Sequence, residues 1–447
     1  MIHSEKVIRG LIGKGIRIAS YACDGTETER KVERLLLQSA DERLEYTIPS
    51  PRGDGFAIVI RIAVFGDCPV VMIQDSKHGL KTFRNNLFSG ARFLILGDQT
   101  ALYRHIREMA FHPQSPLYER DVDRVDRQDD NAATRLFSAG TLEHTITNHS
   151  HLIGEIVYLF TFGELIDAYQ NRHISLSERF TLVCRTFYFM TMWKSFLQKS
   201  GYPLGRFFIS READNICQML VEGMLGLLFV YRNFYSAPTL YYPLLPWLHS
   251  TEACEHTFGC ARQVVKDFTI CDFHYMVQKL RFKIREAVLL AEASNPRATA
   301  SGYNHTYLNS TGIDLSSLAT HIRDCDIPLL TDVAMQEAES MVSLLGLVPS
   351  LVQTSANTPG PLPSISSWYH DGGGEHSELN MGEISDVEDE DSDNKDTAVD
   401  EVTTLRGILR DPQFETWSKR LTTKENARLT NLTSAAAALA INDMIFV

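Results

Sequence analysis

The sequence predicts an α/β fold that continues into a large helical region and ends in an acidic segment. Near the N-terminus, short runs of β-branched and apolar residues have the length and composition of strands. From about residue 91 to 245, apolar residues instead recur at i, i+3 and i+4, which is typical of helices that bury one face. Residues 354–402 are rich in Pro, Gly, Ser and acids and too poor in apolar residues to fold alone.

Composition sets limits on the class of protein. With 447 residues and 44% hydrophobic content, the chain can bury one large core or a few smaller ones. The formal net charge is −13, but residues 375–401 hold twelve acids and one lysine, which leaves −2 for the rest. Bulk charge therefore argues neither for nor against a nucleic-acid partner. The acidic segment 375–401 is a candidate surface for protein partners.

The cysteines and apolar runs bear on the compartment. Eight cysteines are scattered without a CxxC motif, which predicts reduced thiols. The start of the chain lacks the layout of a signal peptide, and the longest apolar run is too short to span a bilayer. We therefore expect a nuclear or cytoplasmic protein with no membrane partner.

The first strand leads to an acidic residue. Residues 4–14 predict the end of a helix, residues 15–23 a mostly buried strand, and residues 26–44 an amphipathic helix. Asp24 ends the strand, and ligands in α/β folds collect outside the carboxyl ends of strands. A turn or a helix N-cap is the alternative role for this Asp.

A second acid follows a later strand. Residues 56–65 and 69–74 predict two strands joined by a tight turn, and a helix from Ser76 comes next. Asp75 and His78 lie at this junction. Three basic residues share one face of the helix and are candidates for phosphate contact: Lys77, Lys81 and Arg84. A solvated basic face is the alternative.

The predicted helices of the central block cover 100–109, 131–137, 153–170, 176–199 and 212–234. Together they form a block as large as a typical domain. Further helices are predicted over 271–292 and 327–345, and short ones within 403–447.

The helix that begins after Pro246 carries a third acid. A helical period places Cys254, Phe258, Ala261, Val265 and Phe268 on one apolar face. The border of that face is lined by Glu255, Gly259, Arg262 and Lys266. Gly259, one turn beyond Glu255, leaves room for a ligand or a metal. A merely solvated Glu255 is the alternative.

Three motifs occur in order: Cys23-Asp24-Gly25, then Asp75-x-x-His78 with Leu80-Lys81 and Arg84-Asn85, and Ser250-x-x-x-x-Glu255-x-x-Phe258-Gly259. Over roughly residues 1–298, this arrangement resembles the RNase H-like catalytic domain of cut-and-paste DNA transposases of the hAT and P-element type. It is also similar to uncharacterised transposase-derived proteins of fungal genomes.

The resemblance implies a division of the chain into parts. These are a partial RNase H-like core (1–90), an all-helical insertion (91–245) and core helices carrying the Glu (246–298). Beyond the range of the resemblance, composition and periodicity predict a helical extension (299–353), a disordered acidic linker (354–402) and a tail (403–447).

The resemblance also implies site residues. Such enzymes hold two Mg²⁺ or Mn²⁺ ions with three carboxylates, D-D-E, to move a DNA strand. Asp24 matches the second Asp and Glu255 the Glu, while Asp75 and His78 match a C/D-x-x-H segment. His78 and Gly259 would shape the site. Five basic residues would contact DNA: Lys77, Lys81, Arg84, Arg262 and Lys266.

One departure from the family pattern leaves three functions open. The family's first Asp lies on a strand that enters a three-stranded meander, whereas a helix follows the Asp24 strand here. We therefore expect an N-terminally truncated domain without the first Asp, impaired in catalysis and acting by binding nucleic acid or in regulation. The alternative is an active metal-dependent strand transferase or nuclease using Asp24, Asp75 and Glu255. A helical protein-interaction scaffold is the third reading.

Overall fold

The computed structural model describes residues 3–53, 55–123, 126–237, 240–293 and 313–353. It is an α/β structure with more helix than strand. The strands are β1 (Ser20–Cys23), β2 (Glu42–Ile48), β3 (Ile58–Phe65), β4 (Cys68–Gln74), β5 (Leu94–Leu96), β6 (Gln99–Ala101), β7 (Ser236–Ala237) and β8 (Leu240–Tyr241). The helices are α1 (His3–Ile12), α2 (Glu27–Ser39), α3 (Ser76–Phe88), α4 (Tyr103–Ala110), α5 (Glu119–Val122), α6 (Asp130–Leu136), α7 (Ala139–Asn148), α8 (Ile153–Gln170), α9 (Leu176–Lys199), α10 (Leu204–Phe207), α11 (Arg211–Phe234), α12 (Glu252–Val264), α13 (Ile270–Ala293), α14 (Leu315–Leu318), α15 (Ile327–Leu344) and α16 (Pro349–Gln353).

The main sheet is mixed and has the strand order β1-β4-β3-β2. β2, β3 and β4 form an antiparallel meander, and β1 pairs in parallel with β4 at the edge of the sheet. Helix α2 connects β1 to the meander, so the meander follows this helix instead of preceding it. The order of these elements along the chain therefore differs from the one that the transposase resemblance implies.

Strand β2 is the main element that the sequence prediction missed. Residues 26–44 were expected to be one helix, but α2 ends at Ser39 and β2 begins at Glu42. β2 pairs with β3 along its whole length, and Leu44, Tyr46 and Ile48 pack toward the core. The polar residues that alternate with them are exposed, as expected for a strand with one solvated face. The pairing with β3 overrides the helical pattern of the local sequence.

Most other predicted elements are confirmed, with small shifts at their ends. α8 and α9 have the predicted bounds, and α3 begins at the predicted Ser76. β1 is shorter than predicted, because it pairs only with β4, from Ser20 to Cys23. Predictions for 354–447, which include the acidic segment 375–401, and for 301–311 lie outside the described residues.

The helices that were predicted to form a separate insertion share one core with the sheet. That core joins Ile60 and Ile73 of the sheet to Phe162 of α8, Leu225 of α11 and Met335 of α15. A smaller core on the other face of the sheet packs α1 and α2 against it. Within the described residues, the boundary expected at residue 91 therefore does not separate two hydrophobic cores.

Helices α12 and α13 form a hairpin with a small core of their own, made by Ala261, Met276 and Leu280. The apolar face predicted for α12 is confirmed only in part. Ala261 is fully buried, whereas Phe258 stays 46% exposed and Val265 38% exposed. The reason is that α13 covers only one side of α12, so the rest of the face has little to pack against.

Helix α11 is the central helix of the molecule. It is long and apolar enough to cross a membrane, but 72% of its apolar window is buried within the protein. It packs on β3, β4, α3, α8 and α9. This is the environment of a core helix. All eight cysteines are free thiols, as predicted.

Close packing of α11 on the sheet depends on Gly226. A Cβ atom at this position would lie 2.9 Å from Cγ1 of Val71 on β4. We predict that Gly226→Val lowers the free energy of unfolding by about 1–3 kcal/mol, as overpacking does. Urea unfolding followed by circular dichroism measures this. Gly10→Val is the matched control, because Gly10 also lies within a helix and its Cβ would meet no atom within 4 Å. Equal effects of the two changes would contradict the prediction.

Candidate functional site

Asp24 and Asp75 lie side by side at the carboxyl ends of two neighbouring parallel strands. Cys23 of β1 stands opposite Gln74 of β4, so the next residue of each strand is an aspartate. The backbone N–H of Asp75 donates to the carbonyl of Cys23 at 2.8 Å. The side-chain amide of Gln74 donates to the carbonyl of Asp24 at 2.7 Å. The pairing of the two strands thus extends to the two acids.

Gly25 allows this arrangement. Its φ is +85°, in the left-handed region that favours glycine. A Cβ atom here would lie 2.0 Å from Oε1 of Gln74. Only glycine therefore lets the chain turn after Asp24 while Gln74 holds the Asp24 carbonyl.

Thr251 joins the two carboxylates. Its hydroxyl oxygen lies 2.8 Å from Oδ1 of Asp24 and 2.8 Å from Oδ2 of Asp75, and its backbone N–H donates to the same Asp75 oxygen at 2.8 Å. Thr251 is also the N-cap residue of α12. The positive end of the α12 dipole therefore faces two acids.

The Thr251 hydroxyl has one proton for two carboxylate contacts. It can donate to only one carboxylate at a time. The other contact brings two oxygen atoms together without a donor, which is unfavourable unless a proton or a cation lies between the groups.

Glu255 lies one turn into α12 and belongs to the same acidic cluster. Its pKa is raised by partial burial first, and then by the negative charges of Asp75 and Asp24, while the charge of Lys81 opposes the shift. The residue as a whole is exposed, so the neighbouring charges are the more informative cause. Glu255 is therefore within electrostatic range of both aspartates.

Asp75 also has a structural role. Its Oδ1 accepts from the backbone N–H of Lys77 at 2.8 Å and of His78 at 3.2 Å, which caps α3. A helix N-cap was the alternative role for Asp24, and in the structure Asp75 fills such a role. His78 is half-buried beside it, and its backbone contributes to the cap.

The predicted basic face of α3 is largely neutralised. Lys77 forms a salt bridge with Glu252 at 3.1 Å, and Lys81 forms one with Asp130 at 3.0 Å. Arg84 is only 1% exposed and donates to the backbone carbonyls of Asp126 and Asp129. Arg84 is therefore a structural residue that holds the loop before α6, and the expectation that it contacts DNA is corrected.

The remaining predicted residues lie on the α12 side of the site. Arg262 and Lys266 are exposed on the hairpin, where a large ligand can reach them. A Cβ atom at Gly259 would meet nothing within 4 Å, so the space beside Glu255 is open. That space agrees with the room that was expected next to the acid.

His249 secures the segment that leads into α12. Its Nδ1 lies 2.7 Å from the Ser20 hydroxyl on β1, and its Nε2 lies 3.2 Å from the Tyr231 hydroxyl on α11. Burial lowers the pKa of His249 to about 4. The neutral ring thus ties the start of α12 to the strand that carries Asp24.

Sequence reasoning missed two polar residues of this cluster. Thr251 was not among the predicted site residues, although it follows directly on Ser250 in the motif that contains Glu255. Asp130, which pairs with Lys81 and raises the pKa of Glu255, was not predicted either. The run Asp129-Asp130-Asn131 was the available signal.

The donor chemistry suits a hard cation. Carboxylate and hydroxyl oxygens are the ligands that Mg²⁺ and Mn²⁺ prefer. Within the described parts of the chain, no group of three His, Cys, Asp or Glu side chains is arranged to hold a metal ion. Binding of one cation by all three acids would therefore require their side chains to move.

Comparison with protein-family models, with curated proteins and with solved structures found no match. Function is therefore inferred from the geometry of this chain.

The Thr251 hydroxyl can be tested without changing the shape of the side chain. We predict that Thr251→Val lowers the free energy of unfolding by about 1–3 kcal/mol at neutral pH, because two carboxylates lose a shared donor. Thr257→Val is the matched control, since Thr257 lies on the same helix and donates to a carbonyl of that helix. Chemical denaturation of both variants measures the difference. Unchanged stability of Thr251→Val would contradict the bridging role.

The depressed pKa of His249 predicts an acid-sensitive contribution to stability. The folded state disfavours protonation, so this contribution is complete above the ordinary His pKa of 6.5 and is lost as pH falls toward about 4. The loss amounts to at most about 3 kcal/mol. We expect His249→Gln to be less stable than wild type at pH 7.5, with the difference shrinking by pH 4.5. Urea midpoints at both pH values measure it, with the exposed His173→Gln as control; a constant difference would refute the assignment.

Proposed function

We propose that Asp24, Asp75 and Glu255 bind a divalent cation and support cleavage or transfer of a nucleic-acid strand. The observation that carries the proposal is the meeting of Asp24 and Asp75, 51 residues apart, at one end of the sheet, where Thr251 bridges them. Glu255 is close enough for both charges to raise its pKa. An acidic cluster of this kind is costly without a compensating cation. The resemblance to DDE transposases supports this choice in its alternative assignment, in which Asp24, Asp75 and Glu255 are the three acids.

Each residue has a distinct role in the proposal. Asp24 and Asp75 would be the principal metal ligands, and Glu255 would complete the set from α12. When bound, Mg²⁺ or Mn²⁺ would activate a water or a 3′-hydroxyl and stabilise the leaving oxygen. Thr251 positions the two aspartates, and the backbone cap at Lys77 and His78 fixes Asp75. The exposed Arg262 and Lys266 would contact phosphates beside the site.

A second function is binding of nucleic acid without cleavage. It is favoured because the oxygens of Asp75 already accept hydrogen bonds from the first turn of α3 and from Thr251. Pairing of Lys77 and Lys81 with acids further lowers the positive charge next to the site. In this case the acids would be structural, and Arg262 and Lys266 would carry the interaction. A nuclear location would suit either function.

The two functions differ in the effect of Glu255→Gln. We expect the purified full chain to cut labelled DNA in Mg²⁺ or Mn²⁺, and Glu255→Gln to reduce the rate by roughly a hundredfold or more, as loss of a transition-state contact does. Asp267→Asn is the matched control, because Asp267 is an exposed acid in the same helical hairpin. Its activity should match wild type.

Other outcomes lead to different conclusions. DNA binding that weakens with salt, without cleavage by wild type, would select the binding function. Cleavage that survives Glu255→Gln would exclude the proposed catalytic set. Failure to bind DNA at low salt would exclude both functions and favour a protein-interaction scaffold.

A further inference from the structure

A cluster of histidines lies apart from the acidic site, where the loop after α4 meets the end of α7. His112 lies in that loop, His144 lies within α7, and His149 is the C-cap residue of α7. The ring centroids are 5.0 Å apart for His112 and His144, 5.6 Å for His144 and His149, and 5.8 Å for His112 and His149. The three rings thus form a nearly equilateral triangle.

The size of this triangle matches a tetrahedral metal site. Zinc binds imidazole nitrogens at about 2.0–2.1 Å, which places the ring centroids of neighbouring ligands about 5 Å apart. Aromatic packing gives similar distances between two rings, but it does not account for unpaired polar atoms within the cluster. We infer that His112, His144 and His149 form a binding site for a transition-metal ion such as Zn²⁺.

Unpaired nitrogens support the site independently of the spacing. His144 is 8% exposed, and its Nε2 is buried without a hydrogen-bond partner among the described residues. Nε2 of His149 is also buried without a hydrogen-bond partner among the described residues. Leaving such groups unpaired in the interior is unfavourable. A bound metal would use both lone pairs and remove that cost.

Protonation and orientation also suit metal binding. Burial lowers the pKa of His144 and His149, and the neighbouring rings lower it further, so both are neutral imidazoles at neutral pH. Neutral imidazole is the form that binds metal. Nδ1 of His144 lies 3.1 Å from the Asn148 amide. The Asn148 amide nitrogen also donates to the His144 carbonyl at 3.1 Å, so this side chain fixes the orientation of the His144 ring.

The cluster also has access to solvent and to a fourth ligand. His112 and His149 are half-buried, and His151 is exposed with its ring 6.4 Å from that of His149. The charge of Glu108 on α4 acts on His149. Either side chain, or a water, can complete four ligands. Within the described residues, no group of three such side chains is already arranged to hold a metal ion, so binding requires these rings to rotate.

Metal titration of the full chain tests the site. The background is Asp24→Asn/Asp75→Asn, so that the acidic site does not contribute and the result is independent of the proposed function. After dialysis against a chelator, Zn²⁺ is titrated in competition with a chromogenic chelator, and Co²⁺ is followed by visible absorption. We expect one ion per chain with the absorption of tetrahedral Co²⁺ and no thiolate charge-transfer band.

Variants connect the binding to these residues. His149→Gln and His112→Gln, at half-buried positions, should each weaken Zn²⁺ binding at least tenfold, and Asn148→Ala by about tenfold through loss of ligand orientation. His173→Gln, at an exposed histidine elsewhere, should leave binding unchanged. Circular dichroism of each variant confirms that it is folded. No binding by the background protein, equal binding by all variants, or a thiolate band would overturn the inference.

Discussion

The candidate site depends on the parallel pairing of β1 with β4. Because Cys23 and Gln74 stand opposite each other, the chain places two aspartates next to each other at the same edge of the sheet. Like charges at this distance repel, and the surrounding structure offsets that repulsion with donors. The Thr251 hydroxyl and N–H, the α12 dipole and the α3 cap all direct positive charge at the two carboxylates.

Elements from the rest of the chain hold these two strands and the helices that follow them in position. β4 is covered by α11 at a distance set by Gly226, and α8 supports the start of α3 through Gln170, which donates to the Ser76 hydroxyl. The helices of residues 91–245 therefore form a layer on one face of the sheet and hold the strand ends in position. His249 then connects α11, β1 and the start of α12. The acidic site is held by elements from three distant parts of the sequence.

Much of the architecture could be predicted from local patterns, because long helices such as α8 and α9 bury faces with a clear period. β2 could not, since its polar residues fit a helix and only pairing with β3 decides its structure. The acids Asp24, Asp75 and Glu255 could be selected by their positions at strand and helix ends. Arg84 could not be judged from its helix face alone, because its burial depends on carbonyls supplied by residues 126–129. Thr251 and the histidine triangle required the three-dimensional arrangement, although 144–151 is visibly rich in His.

The two clusters differ in ligand chemistry, and this difference bears on how one chain can hold both. The acidic cluster offers oxygen donors, which suit Mg²⁺ and Mn²⁺. The histidine cluster offers nitrogen donors, for which Zn²⁺ is preferred over Mg²⁺ and Mn²⁺ in the order of divalent-metal affinities. A metal at the histidine triangle would connect α7 to the loop after α4, and α7 packs on α8, the helix that supports α3. The two clusters are therefore connected by packed helices but share no ligand.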